Sequence, residues 1–234
     1  MAVGEAVSEA VARALARTEL FGSLEPAALE RLAGECHVRR YAKGERVFAK
    51  GDLGSAMFLV AQGSVSLSVG SADGGEVVLA VLNRPQTFGE LAVIDGGPRV
   101  ATATARTATV LVTIPGAQVQ RLLRDHPLVG QSLLSALADL IRRIDEHSSD
   151  LVLLELPDRV AKFLISAARR ANPAAVDGTA VPVDLNVTQT ELAQLVGGSR
   201  QQVNRVIATL EKEGAIKRQG PRIVAVRVDL LSRR

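Results

Sequence analysis

The sequence holds a single cysteine, Cys36, no tryptophan and only three histidines. One thiol excludes an internal disulfide, a cysteine-rich zinc site and a cysteine-ligated iron–sulfur cluster. His37, His126 and His147 are scattered, which argues against haem ligation and assigns them to surface, helix-end or interface positions. No apolar run approaches the ~18 residues of a membrane span. Met1 to Leu20 alternates Glu and Arg with Ala and Val, so it lacks the apolar core of a secretory signal. A cytoplasmic protein with no membrane partner is expected. No nucleophile–base pair and no metal cluster stands out. The expectation is therefore neither an enzyme nor a holder of a metal or catalytic cofactor.

What is present is 234 residues, 47% apolar and 23% charged. That suffices for about two modest domains or one large one, and it is not a disordered composition. Charge is unevenly spread. From Pro157 onward there are 13 Lys+Arg and 7 Asp+Glu, against 15 and 18 in the chain before it. A basic C-terminal third on an acidic body points to a polyanion-binding module, chance being the alternative.

Glu5 to Arg17 reads as an amphipathic helix with Val7, Val11, Ala14 and Leu15 on one side, and Pro26 opens a second carrying Leu29 and Leu32. From Cys36 to Ile114 short β-rich runs alternate with Gly or Asp turns, including Asp73-Gly74-Gly75 as a hairpin turn. Such spacing predicts an antiparallel barrel or jelly roll. Gly116 to Arg124 is helical and stops at Asp125-His126-Pro127. A helix of ~29 residues from Leu128 to about Leu156 would be about 43 Å long. Leu133, Leu137, Leu140, Ile144, Leu151 and Leu154 give it an a/d pattern, with His147 as the polar interruption. A parallel dimer is the economical reading; a helix lying over its own barrel is the alternative. Pro157 breaks the helix, making Leu156-Pro157-Asp158 the expected hinge. Val160 to Ala171 is another helix, and Asn172 to Asp184 reads as a loop with a strand fragment.

Two constellations carry chemistry. In the first, Thr188-Gln189-Thr190-Glu191 and Ser199-Arg200-Gln201-Gln202 are two capping boxes, separated by Val196-Gly197-Gly198. Two helices joined by a tight turn result, with Ala193 small where they cross. Val203, Val206, Ile207 and Leu210 bury the second helix, and its other face shows Arg200, Gln201, Asn204, Arg205 and Ala208. Such a helix sets its N-terminal side chains on base edges in the major groove. Arg is the common reader of guanine, and Gln and Asn suit adenine. Ala215 to Val228 follows as a hairpin turning at Gln219-Gly220-Pro221. Lys217, Arg218 and Arg222 make it a basic wing for phosphates. The alternative is an ordinary helical hairpin of a protein-interaction domain.

The second constellation is Phe88-Gly89-Glu90-Leu91-Ala92, then Pro98-Arg99-Val100-Ala101-Thr102. Gly89 permits close backbone approach. Glu90 to Ile94 suits a short helix whose free N–H groups face an anion, and Arg99 returns across the loop as a cationic fork. Pairing of Arg99 with Glu90 is the structural alternative.

These residues, in this order, resemble the CRP/FNR family of bacterial transcription regulators over roughly Leu20 to Leu230. The Phe-Gly-Glu-Leu…Pro-Arg-x-Ala-Thr cassette and the Val-Gly-Gly-Ser-Arg-x-x-Val-x-Arg helix carry the likeness together. It implies an α+β chain: a cyclic-nucleotide-binding β-roll at 1–127, a dimerisation helix at 128–156 and a winged helix-turn-helix at 157–234. By resemblance, Gly89 and Leu91 offer backbone N–H to a cyclic phosphate, Glu90 accepts from a ribose 2′-hydroxyl, and Arg99 holds the charged oxygen. Val100 and Ala101 complete the cassette. Val100 stands where bacterial members often have Ser, and the cassette is one residue shorter than in the enteric receptor.

At the base end, Ile144 and Asp145 fall where the enteric member of the family has a Thr-Ser pair. Ser148 and Ser149 lie one turn later, and Ser148 is the candidate there. Cyclic AMP is the first expected ligand and cyclic GMP the second. Ser199, Arg200, Gln201, Gln202, Asn204, Arg205, Lys217, Arg218 and Arg222 are the candidate DNA-binding residues. Gln201 replaces a family Glu that accepts from cytosine. Expected partners are a pseudo-palindromic duplex DNA, a second copy of the chain and RNA polymerase. Two rivals remain: a regulatory subunit of an enzyme, and a constitutive DNA-binding protein with a vestigial pocket.

Overall fold

The computed structural model describes residues 2–70, 76–173, 179–183, 185, 187–220 and 222–232. The chain separates into two compact units, Met1–Arg142 and Arg143–Arg234.

The first unit opens with helices α1 (Ala2–Leu15) and α2 (Pro26–Glu35). Pro26 sits in the first turn of α2, where its missing N–H removes no helical bond. Strands follow: β1 (His37–Tyr41), β2 (Arg46–Phe48), β3 (Ala56–Gln62), β4 (Ser64–Gly70), β5 (Glu76–Asn83) and β6 (Thr87–Phe88). After the single-turn helix α3 (Leu91–Ile94) come β7 (Thr102–Ala105) and β8 (Thr109–Pro115). They form two antiparallel four-stranded sheets, ordered β1-β8-β3-β6 and β2-β7-β4-β5, the β-roll that the strand spacing predicts. The Asp73-Gly74-Gly75 turn lies outside the described residues, between the paired β4 and β5.

Strand β3 explains its own unbroken apolar run. Met57 and Leu59 face a core shared with α1, α2 and helix α4 (Gly116–Asp125). Phe58 and Val60 face the interior of the roll, with Tyr41, Phe88 and Leu111. A strand covered on both sides needs no polar alternation.

Helix α5 (Pro127–Leu153) starts on this unit. Val129 and Leu133 are buried in its core and Leu137 packs against it. The alternative reading, a helix lying on its own barrel, therefore holds for the first turns. Beyond them Ile141 is 67% and Ile144 57% exposed, with Leu134 and Leu151 also open. The open apolar positions along the helix thus include 134, 141, 144 and 151. Of the expected positions, the core of its own domain takes Leu133 and Leu137, while Ile144 and Leu151 stay open. His147 is exposed.

In the second unit the helix break also differs from expectation. The chain leaves helix at Leu154 and Glu155; Glu155 is the N-cap of α6 (Leu156–Ala171), and Pro157 lies in its first turn. Proline starts this helix rather than forming a hinge at 156–158. Strand β9 (Ala180–Pro182) comes from the loop whose residues 174–178 and 184 are outside the description. Helices α7 (Gln189–Leu195) and α8 (Arg200–Lys212), strands β10 (Ile216–Gln219) and β11 (Arg222–Arg227), and the single turn α9 (Val228–Leu231) complete it. The sheet order is β10-β11-β9. The wing turn is seen at Gly220 alone, with φ +60°, since Pro221 is outside the described residues. Val160, Leu164, Leu192, Val203, Ile207, Leu210 and Val226 fill the core. No helix among the described residues is long and apolar enough to cross a membrane.

Candidate ligand site and nucleic-acid interface

Around the cassette the deciding side chain is Arg99. It is only 6% exposed. Its guanidinium donates from Nη1 to the Gly89 carbonyl (2.6 Å) and from Nη2 to the Ala56 carbonyl (2.6 Å). One face stacks 4.3 Å from the Phe48 ring centroid. A Cβ on Gly54 would stand 2.6 Å from Nε, so that glycine is the seat of the guanidinium. The buried Nε has no partner. Three of the chain's five phenylalanines, Phe48, Phe58 and Phe88, cluster beneath the site at centroid distances of 5.3–5.9 Å.

Gly89 is at φ +80°, a backbone that favours glycine, and its added Cβ would reach Arg99 Nη1 at 2.7 Å. Glu90 precedes α3, and Leu91 begins it. Burial pushes the Glu90 carboxyl above its ordinary range; its own backbone N–H and then Arg99 oppose the shift. Burial likewise lowers the Arg99 pKa, against the pull of Glu90 and then Asp52. The alternative of a direct Arg99–Glu90 pair is not realised: among the described residues no carboxylate lies within ion-pair distance of Arg99. Val100 is 61% exposed and Ala101 buried. Ser148 is exposed on α5 in the other unit. The sequence offered no sign of Phe48 or Ala56 as partners of Arg99.

The helix-turn-helix follows its caps. Thr188 accepts from the Glu191 N–H and Ser199 from the Gln202 N–H, each with the reciprocal bond in place. Gly197, at φ +66°, combines backbone need with space, because a Cβ would run into Leu151 Cδ2. One residue not singled out from the sequence fastens the turn. Arg159 on α6 donates to the carbonyls of Val196 (2.7 Å), Gly197 (2.9 Å) and Leu154 (2.7 Å). A single cation thus serves the C-terminal ends of α5 and α7, where carbonyls lack helical partners.

Arg200, Gln201 and Arg205 are exposed on α8. Asn204 is half-buried, and its Oδ1 is enclosed without a partner. The Gln202 carboxamide oxygen accepts from the Ser199 N–H and hydroxyl. Lys217 and Arg222 stand exposed on the wing. Arg218 is different: its Nε (2.7 Å) and Nη2 both donate to Glu211 Oε2, so its charge is paired within the domain.

Cys36 donates its Sγ–H to the Leu32 carbonyl, and burial pushes its thiol up to about 12, so the thiolate is not formed near neutrality. Among the described residues no three His, Cys, Asp or Glu side chains gather to hold a metal.

Against known proteins, residues 38–126 match the cyclic nucleotide-binding domain and residues 158–234 the Crp-like helix-turn-helix domain. The chain is 33% identical over 220 residues to the CRP-like cAMP-activated global transcriptional regulator of Mycobacterium tuberculosis, covering 94% of this chain and 97% of that one. The chain belongs to the CRP/FNR family. It is also 35% identical over 208 residues to the cyclic AMP receptor protein of Thermus thermophilus, 89% of this chain and 92% of that one. Among solved structures, the c-di-GMP responsive global regulator CLP of Xanthomonas campestris superposes with a TM-score of 0.69 at 27% identity, over 86% of this chain and 99% of that chain. These family members are named as transcriptional regulators, and this one carries the same DNA-binding and cyclic-nucleotide-binding domains. The Arg99 cassette lies inside the first matched span, and α7, α8 and the wing inside the second.

Proposed function

We propose that this chain is a homodimeric, cytoplasmic transcription regulator gated by a cyclic mononucleotide, cyclic AMP ahead of cyclic GMP. The observation that carries the reading is a buried guanidinium, held in place, whose Nε lacks an acceptor and which has no carboxylate at contact distance. A buried cation whose carboxylates act only from a distance is costly, and a phosphate oxygen supplies a contact partner. Gly89 and Leu91 then offer backbone N–H, Glu90 takes the ribose hydroxyl, and Val100 and Ala101 line the rim. Ser148 contributes at the base end.

Domains of 1–127, 128–156 and 157–234 divide the labour. Arg200, Gln201 and Arg205 read base edges, with Asn204 beside them, while Ser199 and Gln202 fix the start of the helix. Lys217 and Arg222 grip phosphates. The exposed α5 stripe joins two copies, so that two recognition helices enter major grooves about 34 Å apart on a pseudo-palindromic duplex. RNA polymerase is the partner through which such a regulator acts.

Calorimetric titration with cyclic AMP, cyclic GMP and c-di-GMP tests the gate. Saturation at 100 times the dissociation constant should stabilise the protein by about 2.7 kcal/mol. A second reading, a ligand-independent regulator, is favoured by the two carbonyls that already occupy Arg99. Silence with all three nucleotides would select it. For the dimer, Ile141→Asp with Ile144→Asp puts unpaired charge into the seam without touching the domain core. Sedimentation should report monomers, and a persisting dimer would place the interface elsewhere.

A further inference from the structure

Strand β10 alternates in burial: Ile216 faces the core, Lys217 is exposed, Arg218 is half-buried and Gln219 exposed. Arg218 therefore shares the inward face with Ile216, while Lys217 looks outward. The pairing with β11 shifts register between Lys217 and Arg218. Such a bulge re-aims a side chain. Here Arg218 meets α8 at Glu211, two donors converging on one carboxylate oxygen. The side chains are 28% and 37% exposed, so the pair is more sheltered than a free surface ion pair. The wing leaves α8 through Glu213, Gly214 and Ala215, with Gly214 at φ +74° and the Ala215 N–H bonded to the Leu210 carbonyl (2.9 Å). That hinge is short but glycine-based. The Glu211–Arg218 pair is a second tie between helix and wing beyond it.

We propose that Glu211 and Arg218 are positioning residues that set the wing against the recognition helix, and that DNA phosphates meet Lys217 and Arg222 instead of Arg218. This rests on the DNA-binding reading above. It makes an arginine in a basic wing part of the frame that aims the two outward cations.

The test uses the full chain and a duplex selected from a randomised half-site pool. Affinity is measured over a salt series for wild type, Lys217→Gln, Arg218→Gln, Glu211→Gln and the charge-swapped double variant Glu211→Arg with Arg218→Glu. Each phosphate contact contributes about one unit to the salt slope. Lys217→Gln should lower that slope by about one. Arg218→Gln and Glu211→Gln should each weaken binding severalfold with the slope unchanged. The swapped variant should return to within about twofold of wild type, because the pair is rebuilt with its signs reversed. If Arg218 touches phosphate, Arg218→Gln lowers the slope by about one and the swap abolishes binding, since a carboxylate on the wing at that position would repel the DNA backbone. Either result overturns the proposal. A wild-type chain without salt-dependent binding overturns the DNA-binding reading and this proposal with it. A normal wild type with an unrescued swap overturns the proposal alone.

Discussion

Arg99 and Arg200 are the same side chain in opposite conditions. Arg99 is buried among Phe48, Gly54 and two backbone carbonyls. Arg200 stands in solvent on the first turn of α8. A small-ligand site gains strength from a dry, preset cation, because electrostatics act more strongly where water is excluded. A DNA-reading site keeps its cations solvated, which leaves its affinity under the control of salt. The first arrangement ties function to folding; the second separates them.

The largest expected effect comes from removing each arginine in turn. Arg99→Ala leaves the Gly89 and Ala56 carbonyls without their partner, at about 1–3 kcal/mol for each group, besides ending the ligand response. Arg200→Ala should stay within about 0.5 kcal/mol of wild type in stability. Urea denaturation of both variants measures the contrast, and equal stabilities would erase it. Salt comes next. Between 50 and 200 mM, DNA affinity should fall on the order of 10³-fold if about six phosphates are neutralised. Nucleotide affinity at the dry site should change little over the same range.

Single readers rank below that. Arg205→Ala should cost about 1–3 kcal/mol and relax one position of the half-site. Gln201→Glu leaves an acceptor only, so selection from a randomised half-site should move toward cytosine, whose amino group donates. An unchanged motif would show that Gln201 reads no base.

The smallest effect lies in the pH dependence of Glu90. Its folded carboxyl titrates above the unfolded one, so its contribution is fully present below the unfolded pKa and is lost as pH rises through the raised value. Glu90→Gln should remove that acid-side gain in melting experiments without ligand, while weakening nucleotide binding at neutral pH. A pH profile identical to wild type would mean that Glu90 is not desolvated in solution.

Much of this was legible from residue order. The capping boxes at Thr188 and Ser199 appeared where the spacing put them, because a cap is a local bargain between four residues. The single-turn helix after Glu90 was local too. What was not legible depended on distant neighbours. Leu133 and Leu134 look alike in a heptad count, and only the core against α5 decides which one is left open. Pro157 breaks any helix before it and starts any helix after it, and Glu155 as N-cap settles which role applies. Nothing in its sequence context distinguishes Arg159 from the other basic residues of the C-terminal third; its three carbonyl partners come from two separate turns. The sequence casts Arg99 as a cationic fork for an anion. Its burial makes it a member of the core as well.

Strand β3 sets an order of opening for its domain. It lies between β8 and β6, with apolar layers on both sides. β5 is an edge strand with Val77 and Leu79 exposed. Backbone amides of Met57 to Val60 should therefore be the last of the roll to exchange with deuterium, and those of β5 among the first. Arg99 donates to the carbonyl of Ala56, at the start of that slowest strand. The cation proposed to answer the ligand is thereby anchored to the part of the domain that moves least, so its response has to be expressed through the looser pieces around it.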